Sequence, residues 1–169
     1  MQPSSQAASA QAPWRCVTSS AEETRRLAAA LAAAARPGDR LALVGPLGAG
    51  KTQFAKGFAV GLGVSSVVNS PSFTLMAEYD GRLPLFHQDL YRLAGTADAL
   101  AGGLLDERQD DGVTLSEWAD RLDASLDPAR VTVAIDLLDD ERRGIEIGGR
   151  GEIAERYLDA AQRWAVQHR

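Results

Sequence analysis

The sequence predicts an α/β fold: one mixed, largely parallel central sheet with helices packed on it and a β-hairpin at one side. Three observations carry this. Leu41-Ala42-Leu43-Val44 is an apolar run with no polar break, as a strand buried on both faces requires. Past a glycine-rich turn, Phe54, Phe58 and Leu62 recur every fourth residue with Ala55 and Ala59 beside them, which is one face of a helix from about Lys51 to Leu62, ending at Gly63. Further on, Asp80-Gly81 separates two strand-like runs, Phe73 to Tyr79 and Leu83 to Leu90, the signal of a hairpin. A chain of 169 residues, 45% of them apolar, suits one domain able to bury a core of its own.

The elements follow in order. Residues 1–12 are rich in Gln, Ser and Ala and carry no basic residue, and they are read as a disordered leader to a single domain over 13–169. Trp14 to Thr18 is a short strand. Ser20, with Glu23 three residues later, forms a capping box that opens a helix with Leu27, Ala28, Leu31 and Ala35 on one face; Pro37-Gly38-Asp39 ends it. Val64 to Asn69 is a loop. Helical material is expected from about Thr96 to Arg108, broken at Gly102-Gly103, and again from Trp118 to about Leu126, stopping near Pro128. Between them Val113-Thr114-Leu115 is a short strand leading into Ser116-Glu117-Trp118. Arg130 to Leu137 alternates, with Val131, Val133, Ile135 and Leu137 on one face, and Gly144 to Ile147 is its hairpin partner. The last helix starts near Gly151 and shows Ile153, Tyr157, Ala161 and Trp164 on one stripe.

The turn between the second strand and second helix reads Gly45-Pro46-Leu47-Gly48-Ala49-Gly50-Lys51-Thr52, matching G-x-x-x-x-G-K-[ST]. The glycines allow the backbone to curl around phosphate oxygens, and the helix start aims N–H groups and a positive dipole end at them. Lys51 supplies a compact charge for the β- and γ-phosphates, and Thr52 a hydroxyl for Mg²⁺. The chain has two lysines against sixteen arginines, so Lys51 stands where a planar guanidinium fits poorly. The expected architecture is therefore P-loop NTPase-like and three-layered, binding a nucleoside triphosphate.

Such a site needs acids beyond the loop, and ligands in open α/β sheets sit at the carboxyl ends of strands. Asp89, Glu117 and Asp136 are the candidates. Glu117 is a metal-side acid or an acid drawn to a helix start by its dipole. Asp89 ends a hairpin strand. Asp136 is out of phase with Val133 and Ile135 and reads as solvated. His87 shares a strand face with Asp89 and, taken alone, reads as structural. Trp118 either stacks on a nucleotide or partner, or belongs to the core. With His87 and His168 the only histidines and Cys16 the only cysteine, neither a zinc site nor an internal disulfide is supported.

The formal charge of −5, with 23 acids against 18 bases, argues against a chain that grips nucleic acid directly. No apolar run reaches the ~18 residues that cross a bilayer, and no secretory signal is seen, so a cytoplasmic protein is expected.

Together, Leu47 to Thr52, Ser70-Pro71-Ser72-Phe73-Thr74-Leu75, His87-Gln88-Asp89-Leu90-Tyr91-Arg92-Leu93 and Glu117-Trp118 resemble the TsaE (YjeE) family from about Ser20 to Arg143. The His-x-Asp-Leu-Tyr-Arg-Leu block followed by Glu-Trp is far more specific than the loop. The resemblance implies a Mg²⁺-dependent ATPase of bacterial tRNA threonylcarbamoyladenosine synthesis that works with TsaB and TsaD and meets tRNA only indirectly. It also implies that Thr52 and Glu117 serve Mg²⁺ and that Asp89, with Lys51, serves ATP turnover. Pro46 stands where the family usually has Asp, and Ser72 where it has Thr.

Two other readings are weighed. A small-molecule P-loop kinase would want an arginine-rich lid, whereas Arg82, Arg92, Arg108 and Arg121 are dispersed along the chain. A nucleotide sensor that docks without hydrolysis would differ by lacking turnover. A regulatory GTPase is excluded, because its N-K-x-D element needs a lysine beyond Lys56.

Overall fold

A computed structural model describes residues 10–71, 75–91, 107–118 and 130–168. Seven strands form one sheet: β1 (Trp14–Thr18), β2 (Arg40–Val44), β3 (Met76–Tyr79), β4 (Leu85–Asp89), β5 (Val113–Glu117), β6 (Arg130–Leu137) and β7 (Arg143–Gly148). Their order across the sheet is β1-β7-β6-β2-β5-β4-β3. The four central strands β6, β2, β5 and β4 are parallel, and each flank closes with antiparallel pairing: β3 on β4, and β7 on β6 with β1 beyond it. This is the mixed, largely parallel sheet expected, with both hairpins in place.

Three α-helices are described: α1 (Ala21–Ala32), α2 (Lys51–Gly61) and α3 (Gly151–Gln167). Ser20 caps α1, its Oγ accepting from the Glu23 N–H at 3.1 Å, while the Glu23 carboxylate accepts from the Ser19 N–H at 2.8 Å. The capping box thus closes one residue earlier than the standard pattern, in which the Glu bonds the cap residue's own N–H. The buried faces of all three helices meet Leu41, Leu43, Leu115, Val131, Val133, Ile135, Ile145 and Ile147 in one core. By strand alternation and register, these sheet residues all lie on one face. Fully burying side chains such as Phe54, Phe58 and Leu27 contributes ~1.5–3 kcal/mol each.

Helices α1 and α2 cross with almost no room between them. A Cβ at Gly57 would lie 2.2 Å from the Arg25 carbonyl oxygen, so glycine is required there by the approach of the two backbones. At the far end of α1, Asp39 ties α3 to the sheet. Its carboxylate accepts from Arg156 through both Nη1 (2.9 Å) and Nη2 (2.7 Å), from the Tyr157 hydroxyl (2.8 Å) and from the Arg36 N–H (2.9 Å). Burial and the Asp39 carboxylate raise the Tyr157 hydroxyl well above the ordinary tyrosine range.

Several expected elements differ in extent. Strand β3 starts at Met76, and residues 72–74 lie outside the described residues. Most of the helical stretch expected over 96–108 and the one to Leu126 also lie outside them; what is described of the first, Glu107–Asp111, is a 3-10 turn. Of the leader, residues 1–9 lie outside the described residues, while Ala10 bridges to Arg150 and the Gln11 N–H donates to the Gly149 carbonyl at 3.2 Å.

Candidate nucleotide site

The site gathers at the carboxyl ends of β2, β5 and β4, where their parallel register brings the last residues level. Leu43 pairs with Glu117, and Glu117 with Asp89. The Gly45–Thr52 loop leaves β2 pressed against β6: Gly45 has φ +149°, and a Cβ there would lie 2.1 Å from the Ile135 carbonyl oxygen. Gly48 and Gly50 also have positive φ, and space is open where their Cβ atoms would stand. Gly50 is the N-cap of α2, so the orphan N–H groups of the helix's first turn face the loop's concave side. Leu47 is 81% exposed at the tip, whereas Ala49 is buried behind the loop.

Lys51 is only 5% exposed. Its Nζ donates to the carbonyls of Gly45 (2.7 Å) and Pro46 (2.9 Å) and lies 4.0 Å from the centre of the Trp118 ring. Trp118 reaches this position through φ +58°, a backbone conformation that costs a non-glycine residue of order 1–3 kcal/mol. Its ring also tilts against Tyr91, with centroids 5.0 Å apart. Trp118 is half-buried, with its ring against the loop lysine at the edge of the cleft.

Thr52, in the first turn of α2, donates from Oγ1 to Glu117 Oε1 at 2.9 Å. Glu117 is the last residue of β5 and 3% exposed, so it stands at a strand end and not in a described helix. Its other oxygen, Oε2, is 2.6 Å from His87 Nε2. Asp89, 5% exposed, accepts from the Ser70 hydroxyl, and its Oδ1 accepts from the Tyr91 N–H at 3.0 Å. Asp136 is exposed, as expected, and by alternation lies on the other face of the sheet from Glu117.

Two cavities flank the loop. One of about 510 Å³ holds Lys51, Thr52, Asp89, Glu117, Tyr91 and Trp118. The other, about 380 Å³, lies on the far side between Ser20, Thr24, Asp140 and Arg143. Gly48, Gly50 and Gln53 border both. Gln53 is held by Arg25, whose Nη1 donates to its Oε1 at 2.6 Å. Arg143 donates from Nε to the Ala49 carbonyl at 3.0 Å, fastening the β6–β7 hairpin to the back of the loop. Its turn is closed by Asp139, which accepts from the N–H groups of Arg142 and Glu141 and from the Arg142 side chain, and these bonds lower its carboxyl to about 2. The sequence reading passed over Gln53 and Arg143. Gln53 adjoins the motif and could have been found, whereas Arg143 reaches the loop only through the hairpin's return.

Two of the four arginines weighed for a lid point elsewhere. Arg82 Nη2 donates to the carbonyls of Ala32 and Ala35, and Arg108 pairs with Glu78 at 3.5 Å. Arg92 and Arg121 lie outside the described residues.

The sheet order, the glycine loop at the end of β2 and the helix it caps define an α/β protein of P-loop NTPase-like fold. Within that class the chain belongs to the TsaE family: the model of threonylcarbamoyl adenosine biosynthesis protein TsaE matches residues 18–145. Its relatives include the tRNA threonylcarbamoyladenosine biosynthesis protein TsaE of Bacillus subtilis, 45% identical over 147 residues, covering 85% of this chain and 90% of the relative. The protein of the same name from Treponema pallidum is 40% identical over 133 residues, covering 79% and 98%. The crystal structure of Bacillus subtilis YdiB superposes with a TM-score of 0.74 at 37% identity, covering 93% of this chain and 98% of that one.

Proposed function

We propose that this chain is a Mg²⁺-dependent ATPase acting in tRNA threonylcarbamoyladenosine biosynthesis, slow alone and driven through its cycle by TsaB and TsaD. The pathway follows from the family. The observation that carries the chemistry is the 2.9 Å contact of Thr52 with Glu117 beside the start of α2. A hydroxyl and a carboxylate at that spacing, next to a phosphate-binding helix end, are the hard oxygen donors Mg²⁺ takes from protein when phosphates and water complete its shell. Among the described residues no group of three His, Cys, Asp or Glu side chains could hold a metal unaided, which fits a cation shared with a nucleotide. When bound, the cation neutralises charge developing on the transferred phosphoryl group.

The chain's own residues divide the remaining work. Lys51, whose ammonium rests on the Gly45 and Pro46 carbonyls beside the Trp118 ring, supplies the loop's positive charge to the phosphates. Asp89 is fixed by Ser70 and the Tyr91 N–H near the cleft, where it can orient an attacking water. The smaller cavity, with Ser20, Thr24 and Arg143, takes the nucleoside, so ATP lies across the loop along the border formed by Gly48, Gly50 and Gln53. The family's part in tRNA threonylcarbamoyladenosine biosynthesis supports work in the cytoplasm, with tRNA reached through the partners; separately, no described helix is long and apolar enough to cross a membrane.

Titration of the purified protein with a fluorescent ATP analogue, with Mg²⁺ and then with EDTA, tests this. Saturable binding that tightens with Mg²⁺ is expected; absence of binding in both conditions would overturn the reading.

A further inference from the structure

His87 is fully buried on β4, yet it contributes nothing to the lining of the cleft. It precedes Asp89 by two residues on the same face of the strand, and its register partner is Leu115, two residues before Glu117. The imidazole therefore sits one step deeper in the sheet than the two acids and reaches forward to Glu117. A carboxylate only accepts hydrogen bonds, so Nε2 carries the proton and donates to Oε2 at 2.6 Å. Among the described residues Nδ1 has no hydrogen-bond partner, so Glu117 is the ring's one polar anchor there.

Glu117 is thus held at both oxygens from different elements, by Thr52 of α2 at Oε1 and by His87 of β4 at Oε2. Without the second hold, rotation about the end of the Glu117 side chain would be limited by Thr52 alone. Thr52 is the other group that Mg²⁺ would engage. We propose that His87 is a positioning residue for the cation: it fixes the Glu117 carboxylate so that one oxygen is presented beside Thr52, without itself touching metal or nucleotide. This rests on the Mg²⁺–ATP reading of the site. Outer partners of metal-side groups commonly govern affinity in this way, their loss costing ~10–100-fold.

The test is Mn²⁺ binding to the protein saturated with a non-hydrolysable ATP analogue, followed by electron paramagnetic resonance, with analogue affinity measured separately in EDTA. His87→Ala is expected to raise the Mn²⁺ half-saturation about tenfold or more, leaving metal-free analogue binding within twofold. His87→Gln, whose amide nitrogen can occupy the place of Nε2, is expected to restore most of the loss. His87→Asn, too short to reach Glu117, is expected to behave like Ala. Should the Ala variant fail to fold, the Gln and Asn pair decides. Equal Mn²⁺ affinity in wild type and folded His87 variants, with lowered thermal stability alone, would reduce His87 to a core residue and overturn the inference. Wild type that binds the analogue with no Mn²⁺ dependence would overturn the metal reading and this inference with it.

Discussion

Thr52 Oγ1 and Glu117 Oε1 are joined by a 2.9 Å hydrogen bond that links the first turn of α2 to the last residue of β5. The two residues are 65 positions apart, and two independent devices bring them together. The glycine loop turns the chain from β2 directly into α2, and the parallel β2–β5 register sets Glu117 beside Leu43. Replacing Glu117 with Gln keeps the shape but offers a poorer ligand to a hard cation. Mg²⁺ dependence of ATP binding should weaken in Glu117→Gln. Asp89→Asn should bind ATP nearly as wild type and turn it over far more slowly. Identical losses of binding in both variants would contradict this division of labour.

Lys51→Ala removes the loop's cation. A charge-assisted hydrogen bond is worth ~1.5–3 kcal/mol, so ATP affinity should fall roughly ten- to a hundred-fold. The buried ammonium leaves with its desolvation cost, so the fold should persist, as circular dichroism would show. Unchanged ATP affinity by titration would remove the loop from the site.

Much of this was legible because it is local. The strand–loop–helix unit, the capping box, both hairpins and the stripe of α3 are all written within a few residues of one another, where periodicity and turn chemistry act. The acids at 89 and 117 could be singled out because strand ends are where α/β sheets place ligands, and the β4–β5 register sets them side by side. Contacts made by tertiary approach left no such trace. Arg143 meets Ala49 only because the turn after β6 reverses the chain into β7, and the partner of His87 depends on the β4–β5 register. Trp118 was ambiguous for a related reason, since nothing local announces a positive φ at a tryptophan.

Gly57 offers a test of packing independent of the site. Alanine would gain ~0.5–1 kcal/mol in an exposed helix, but here its Cβ meets backbone of α1 at 2.2 Å. Overpacking of this kind costs typically ~1–3 kcal/mol, and a carbonyl oxygen cannot move aside as a flexible side-chain tip can. Gly57→Ala should lower the melting temperature by several degrees, roughly 2–4 °C per kcal/mol at this size. An equal or higher melting temperature would mean that α1 and α2 are further apart than described.

Cys16, the only cysteine, gives a readout of pH linkage. Burial, with Glu23 adding repulsion, pushes its thiol up to about 12. The folded value is above the ~8.5 of an unfolded thiol. The stability it contributes is therefore complete below about pH 8.5 and is lost as pH rises towards 12. At pH 8 the native thiol should react with a disulfide reagent far more slowly than in urea. Urea midpoints should decline less steeply between pH 9 and 11 in Cys16→Ala. Native and urea-unfolded protein reacting at the same rate would place the thiol in solvent.

The central claim is that this chain spends ATP on behalf of partners, for which the most direct measurement is steady-state ATP hydrolysis by the purified protein, alone and then with TsaB, TsaD and tRNA. Arg82 and Arg108 are engaged away from the cleft, so neither is placed to stabilise charge on the transferring phosphoryl group. A cation supplied from outside can raise turnover by about 10³–10⁵. Slow hydrolysis alone, rising by about tenfold or more when the partners are added and abolished in Lys51→Ala, is the result predicted. Fast turnover by the protein alone, unchanged by TsaB, TsaD and tRNA, would contradict the account and make the chain a self-contained enzyme.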